Sequence, residues 1–420
     1  MVKITPQVLS GTVQAPPSKS YSHRAVIAAF LSGDRCLIEN LHLSADILAT
    51  LNCTTQLGST WKYNEKEHTA TIEGGSSPSS SVLLDCGESG STLRFFIPIA
   101  MTMCNEAQFT GQGRLMERPL DPYFEIFKEK NIKCSLKKGV LTVKGRLTPG
   151  TYTIDGEVSS QFITGLLYAL PLLDNDSKIK IKGNLTSRAY IDITLDVLKK
   201  FGIEIKNENY SSFIIKGNQK YIAQSYTVEG DFSNAAFWLV AGALGCDITC
   251  MGLDYESLQG DKAIIEIIKS TGATVERVGK NSFRVQSAAN MHGVTVDADA
   301  VPDLVPVLAV LFCFCKGTSR IENAGRLRIK ESDRLAAITT QLSKMGADIT
   351  EGFDFLEIRG KQILNGADVS SVNDHRIAMA LAIAACRCEG DVAIEGAKKA
   401  VTKSYPNFFE DYIMLGGNAE

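Results

Sequence analysis

Nine basic residues of this chain stand beside the starts of helical stretches: Lys19, Arg24, Arg94, Arg114, Arg118, Lys330, Arg334, Arg376 and Lys403. Charges that only meet solvent would favour polar faces in the middle of helices. A guanidinium offers carboxylate or phosphate a two-pronged donor, and an ammonium offers a point charge. The first turn of a helix adds about four unpaired N–H groups and roughly half a positive charge. Helix starts that converge would therefore hold small anions without a large net charge. Lys330 and Arg334, four apart, are expected to share one helix face. Ser159-Ser160-Gln161 offers hydroxyls, an amide and free N–H groups to a hydroxylated ligand, and equally fits an N-cap pair. Ser187 and Tyr190 suit capping and packing. Asp303, between Pro302 and an apolar run, reads as an N-cap, and Glu331 as a first-turn acid favoured by the helix dipole.

The elements that must position these residues form a repeat. Six apolar helical stretches begin near Ser20, Ser89, Ser159, Phe232, Asp303 and Asn373, about 70 positions apart. Each is followed by an amphipathic helix ending at Leu57-Gly58, Lys130-Asn131, Phe201-Gly202, Thr271-Gly272, Met345-Gly346 or Leu415-Gly416, where the glycine reads as the residue just past the helix. Polar turns flanked by alternating apolar residues, as in 203–217, 273–287 and 347–360, indicate paired strands. The expected unit is helix, helix, two strands. The near-apolar helix of each unit should be buried and the amphipathic one should cover it. Six units exceed one compact core, so they are expected to split three and three. That gives an α/β chain with one domain over 17–229 and a second over 1–16 plus 230–420.

Composition narrows the function classes. Net charge is −3 with 44% hydrophobic and 22% charged residues, which does not fit a general polyanion binder. Aromatics are 8% and no basic run or stacking motif is present, so nucleic acid is not an expected partner. The longest apolar stretch, Val305 to Cys315, is too short for a spanning helix of roughly 20 residues, and no membrane association is expected. The N-terminal MVKITPQVLSG lacks an apolar signal core, which predicts a cytoplasmic protein. Eleven cysteines, including the C-x-C pairs Cys313/Cys315 and Cys386/Cys388, are expected to be reduced and buried, and the five scattered histidines form no metal-ligand spacing.

Ten segments together carry a resemblance. PPSKSYSHR (16–24), CGESGSTLR (86–94), GQGRLMERP (111–119), VSSQF (158–162), SRAYIDIT (187–194), VEGDFS (228–233), VPDL (301–304), RIKESDRL (328–335), NDHRIAM (373–379) and KSYPNFF (403–409) occur in the order found in the 3-phosphoshikimate 1-carboxyvinyltransferases, also called 5-enolpyruvylshikimate-3-phosphate synthases. The chain resembles that family from end to end. The resemblance implies two similar domains, each of three helix-and-sheet units around buried parallel helices, hinged at a central cleft. It implies condensation of phosphoenolpyruvate with shikimate 3-phosphate, on the route to aromatic amino acids, by a monomer.

Carried over by residue, Lys19 would touch both substrates. Ser20, Arg24, Ser159, Ser160, Gln161, Ser187, Tyr190, Asp303 and Lys330 would hold shikimate 3-phosphate. Gly90, Arg114, Gln161, Arg334, Arg376 and Lys403 would hold phosphoenolpyruvate. Asp303 and Glu331, with Lys19, would be the acid and base groups. No metal or organic cofactor is implied, because phosphoenolpyruvate is itself activated. A methyl group added at Gly90 should crowd that ligand. Three positions depart from the family pattern: Glu88 and Arg326 stand where asparagine is common, and Phe95 where proline is. The alternative readings are the sister transferase acting on UDP-N-acetylglucosamine, whose catalytic cysteine loop is not visible around Arg114, and a non-catalytic anion-binding protein on the same scaffold.

Overall fold

The computed structural model describes residues 1–74 and 80–420. The chain divides into two compact units, Lys19–Val228 and Met1–Ser18 with Glu229–Glu420. Each unit holds three four-stranded sheets, and all six sheets share one pattern: a parallel pair of strands followed by two antiparallel ones. Ser81–Asp85, for example, runs parallel to Glu106–Thr110, which is antiparallel to Val140–Lys144 and then Lys133–Lys137.

In four of the repeats the buried helix links the two parallel strands, a βαβ crossover. At the two crossings between units the parallel strand changes place. Ser10–Gln14 pairs with Asp247–Met251 in one unit, and Ser225–Thr227 pairs with Cys36–Glu39 in the other. The N-terminal strand Val2–Thr5 lies between Val392–Glu395 and Asn418–Ala419 and completes the sheet of the last repeat.

The hairpins in 203–217, 273–287 and 347–360 and both helices of each repeat lie where the sequence pattern puts them, apart from the start of the helix Arg334–Lys344, and each repeat adds further strands that the pattern did not reveal. Several of these have only three residues, as in Thr295–Asp297 and Asp368–Ser370, too few to display alternation. The positions just past the amphipathic helices, Gly58, Asn131, Gly202, Gly272, Gly346 and Gly416, are all left-handed, with φ between 55° and 99°. That conformation ends a helix at little cost only for glycine and asparagine.

The buried helices make the two cores. Every residue of Phe232–Ala243, Val305–Phe312 and His375–Ala384 is buried, so these helices have no face left to solvent. In the other unit the buried helices are Lys19–Ser32, Gly90–Met103 and Ser160–Ala169. Pro98 interrupts the second of them and cannot donate to the carbonyl of Arg94. The Tyr123 hydroxyl donates to that carbonyl instead, at 2.7 Å. Gly165 lets the helix Ser160–Ala169 approach the same spot, because a Cβ there would meet the Tyr123 hydroxyl, the Arg94 carbonyl and Pro98.

Gly165→Ala should therefore lower stability by about 1 to 3 kcal/mol through overpacking. Urea denaturation measures it, and an unchanged midpoint would mean the two helices yield freely.

Candidate functional site

In the unit Met1–Ser18 with Glu229–Glu420, the carbonyl and acid groups of three segments converge on two arginines. Arg334 begins the helix Arg334–Lys344, capped by Asp333. Its side chain is 2% exposed and meets three carboxylates: Nε donates to Asp374 Oδ2 at 2.8 Å, Nη1 to Asp303 Oδ1 at 2.9 Å and Nη2 to Glu331 Oε2 at 2.8 Å. Arg376, in the first turn of His375–Ala384, donates from Nη2 to Asp303 Oδ2 at 3.0 Å and from Nη1 to the Asp303 carbonyl at 3.1 Å. Asp303 thus bridges two guanidiniums, one with each carboxylate oxygen. Burial pushes its carboxyl up, but Arg376, Lys330 and Arg334 outweigh burial and hold it well below the usual carboxylate range.

Asp374 is wholly buried and does two jobs. Oδ1 accepts from the N–H of Arg376, capping that helix, and Oδ2 accepts from Arg334 and from the Ser332 hydroxyl at 3.0 Å. The chain reaches Asp374 through two left-handed residues, Val372 (φ 44°) and Asn373 (φ 58°). A β-branched residue in that region is strained. The turn aims the Asn373 carbonyl at Lys403 Nζ, which donates to it at 2.7 Å. Asp261, buried nearby, is pushed up to about 7, first by burial and then by the charge of Asp303.

Three sequence expectations change here. The helix starts at Arg334, so Lys330 and Glu331 precede it, and Lys330 shares no helix face with Arg334. Glu331 is accordingly not a first-turn acid. Asp303 is not an N-cap either: Leu304 holds that position before Val305–Phe312 and no side chain caps the helix. Both carboxylates are taken by arginine instead.

In the unit Lys19–Val228, Lys19 opens the first buried helix and pairs with Asp46 Oδ2 at 2.9 Å, both side chains mostly buried. Ser20 lends its carbonyl to Arg24 Nη1 at 2.8 Å. Arg24 is 3% exposed, and its other donors reach the Thr194 hydroxyl at 2.8 Å and the Tyr190 carbonyl at 3.0 Å. The ring of Phe95 lies 5.2 Å beneath the Arg24 guanidinium, a cation–π contact that gives this departure from the family pattern a purpose.

Gln161 joins two helix starts. Its Nε2 donates to the Ser91 hydroxyl at 3.0 Å, and its Oε1 accepts from Arg94 at 3.1 Å. Ser159 caps the helix Ser160–Ala169, with Ser160 buried as its first residue. Ser187 is buried and left-handed (φ 52°) ahead of the helix Arg188–Lys200, which its side chain does not cap. Gly90 starts the helix capped by Ser89. Arg114 is half exposed, with Nε 4.0 Å from Glu117 Oε2. Glu88 lies against Gly113 and Arg326 pairs with Asp299 at 2.7 Å.

Sequence reasoning missed Asp46, Asp374 and Ser332 as partners of the basic residues. Asp46 and Asp374 sit at helix starts, where an acid is ordinary, so nothing in the pattern set them apart. Among the described residues no group of three or more His, Cys, Asp or Glu is arranged to hold a metal. All eleven cysteines are free thiols, ten of them buried. No helix among the described residues is long and apolar enough to cross a membrane.

Comparison with known proteins adds to this geometry. A family model described as EPSP synthase (3-phosphoshikimate 1-carboxyvinyltransferase) matches residues 4–412. The 3-phosphoshikimate 1-carboxyvinyltransferase of Clostridium novyi (strain NT) is 49% identical over 426 residues, covering 99% of this chain and 97% of that protein. The enzyme of the same description from Clostridium acetobutylicum is 49% identical over 422 residues, with 99% and 97% covered. A solved EPSP synthase structure from Acinetobacter baumannii superposes with a TM-score of 0.82 at 25% identity, covering 100% of this chain and 99% of that one.

A Cβ at Gly90 would lie 2.7 Å from Arg118 Nη1 and 2.9 Å from Arg94 Nη1, so the added methyl meets guanidiniums of the protein itself. Were phosphoenolpyruvate held here, as the resemblance implies, Gly90→Ala should weaken its binding by about 10- to 100-fold through displaced donors. Calorimetric titration checks this, and unchanged affinity would show that both arginines move aside harmlessly.

Proposed function

We propose a division of labour among the site residues from the premise that the chain belongs to the EPSP synthase family, the 3-phosphoshikimate 1-carboxyvinyltransferases. The reaction moves the carboxyvinyl group of phosphoenolpyruvate to the 5-hydroxyl of shikimate 3-phosphate and releases phosphate. The hydroxyl adds to the enol carbon while the methylene carbon gains a proton and becomes a methyl group, and the tetrahedral adduct then loses phosphate and one proton of that methyl, which restores the vinyl group.

In this reading Arg334 and Arg376 take the phosphoenolpyruvate carboxylate, with Arg114, Lys403, Gln161 and the N–H groups at Gly90 contributing to that ligand. Arg24, Ser20, Ser159, Ser160, Gln161, Ser187, Tyr190 and Lys330 hold shikimate 3-phosphate. Lys19 serves both ligands, and Asp46 is the counter-ion that keeps its ammonium in place. Asp303 accepts the hydroxyl proton, and Glu331 handles the methylene proton with Lys19. The observation that carries the reading is the pairing of Asp303 and Glu331 with the same guanidinium, which gathers two carboxylates and two anion-binding arginines at one place. UDP-N-acetylglucosamine as acceptor is not favoured, since the relatives at 49% identity are shikimate 3-phosphate enzymes by description. The eleven free thiols support a reducing compartment such as the cytoplasm.

Lys19→Ala and Asp303→Ala should each lower turnover by about 10²- to 10⁴-fold, the usual range for a positioned acid or base. Phosphate release in the presence of both substrates measures this. Near wild-type turnover in a folded variant would remove that residue from the mechanism.

A further inference from the structure

The two arginines assigned to phosphoenolpyruvate are already occupied by the protein's own carboxylates. The side chain of Arg334 is 2% exposed and that of Arg376 is 4% exposed, whereas Asp303 and Glu331 keep 22% and 18% of their side-chain surfaces open. An incoming carboxylate therefore meets Asp303 and Glu331 before it meets either guanidinium. Asp303 spans the pair with one oxygen on each, at 2.9 and 3.0 Å, which is the bridging geometry a substrate carboxylate would adopt. Three carboxylates face these two guanidiniums, and Lys330 is the further cation acting on Asp303, so the charges already balance and an anion arriving without rearrangement finds no uncompensated positive charge. Asp374 is fixed, being wholly buried and shared with Ser332 and the helix cap. Asp303 and Glu331, with 22% and 18% of their side-chain surfaces open against none for Asp374, are the members placed to exchange.

We infer that Asp303 and Glu331 act as built-in stand-ins for the substrate carboxylate, and that phosphoenolpyruvate binds by exchanging with them on Arg334 and Arg376. This rests on the reading that those arginines take phosphoenolpyruvate. The exchange couples binding to chemistry. While it bridges two guanidiniums, Asp303 is a poor base; once displaced, it loses the contacts that hold its proton affinity down and can accept the hydroxyl proton. Glu331 is released toward the methylene carbon in the same event. Neither acid is then active until the carboxylate of the correct partner is in place.

The test is calorimetric titration of phosphoenolpyruvate into the full-length wild type, Asp303→Asn and Glu331→Gln, with steady-state kinetics on the same samples. Exchange predicts that Asp303→Asn binds phosphoenolpyruvate about tenfold more tightly while its kcat falls, since a competitor and a base are lost together. Glu331→Gln should bind more tightly by a smaller factor. A purely structural brace predicts the opposite sign, because neutralising it would loosen the arginines and weaken binding. Unchanged or weaker binding in an Asp303→Asn protein with native circular dichroism overturns the inference. Should that variant not fold, unchanged or weaker binding in Glu331→Gln does the same. Wild-type protein that neither binds phosphoenolpyruvate nor forms product would instead overturn the underlying assignment of the arginines.

Discussion

A guanidinium buried to 2% exposure has to find several acceptors or it destabilises the fold, and Arg334 finds three carboxylates. Each comes from a different local device. Asp303 lies in the bend that leads into Val305–Phe312, Glu331 in the turn just ahead of the helix Arg334–Lys344, and Asp374 behind the strained pair Val372 and Asn373. Removing one partner from such a buried set typically costs about 3 to 5 kcal/mol, because the remaining charges stay dehydrated. The strain at Val372 is tolerated because Asp374 is held by Arg334, Ser332 and the Arg376 N–H at once. Structure and chemistry thus depend on the same contacts.

Arg24 in the other unit solves the same burial problem differently. Its partners are hydroxyls, carbonyls and the face of Phe95, none of which carries a full negative charge. Burial pulls its proton affinity down, but its charge is not cancelled by a carboxylate. The helix starts near it add positive potential. One arginine cluster is therefore balanced by carboxylates, whereas Arg24 is held by neutral acceptors.

Much of this was legible in the sequence. The repeat was visible because apolar helices and the glycines past their amphipathic partners recur at a steady interval, and the fold follows that interval. The basic residues stood out because they gather at helix starts. The short parallel strands did not stand out, since three residues such as Thr295–Asp297 carry no readable alternation. Asp374 and Asp46 were hidden by a role they really perform or could perform, that of an acid at a helix start. The true start of the helix at Arg334 was also hidden, because Glu331 and Asp333 both look like capping or first-turn acids, and only tertiary pairing of Glu331 with Arg334 separates them.

The most direct measurement is a crystal structure of the protein with phosphoenolpyruvate and shikimate 3-phosphate, trapped in an inactive Lys19→Met variant that leaves the arginine cluster intact. In that crystal the phosphoenolpyruvate carboxylate should lie on Arg334 and Arg376, with Asp374 still on Arg334 and Asp303 turned away from both guanidiniums toward the 5-hydroxyl. Phosphoenolpyruvate bound elsewhere, or bound while Asp303 still bridges the two arginines, would contradict the exchange.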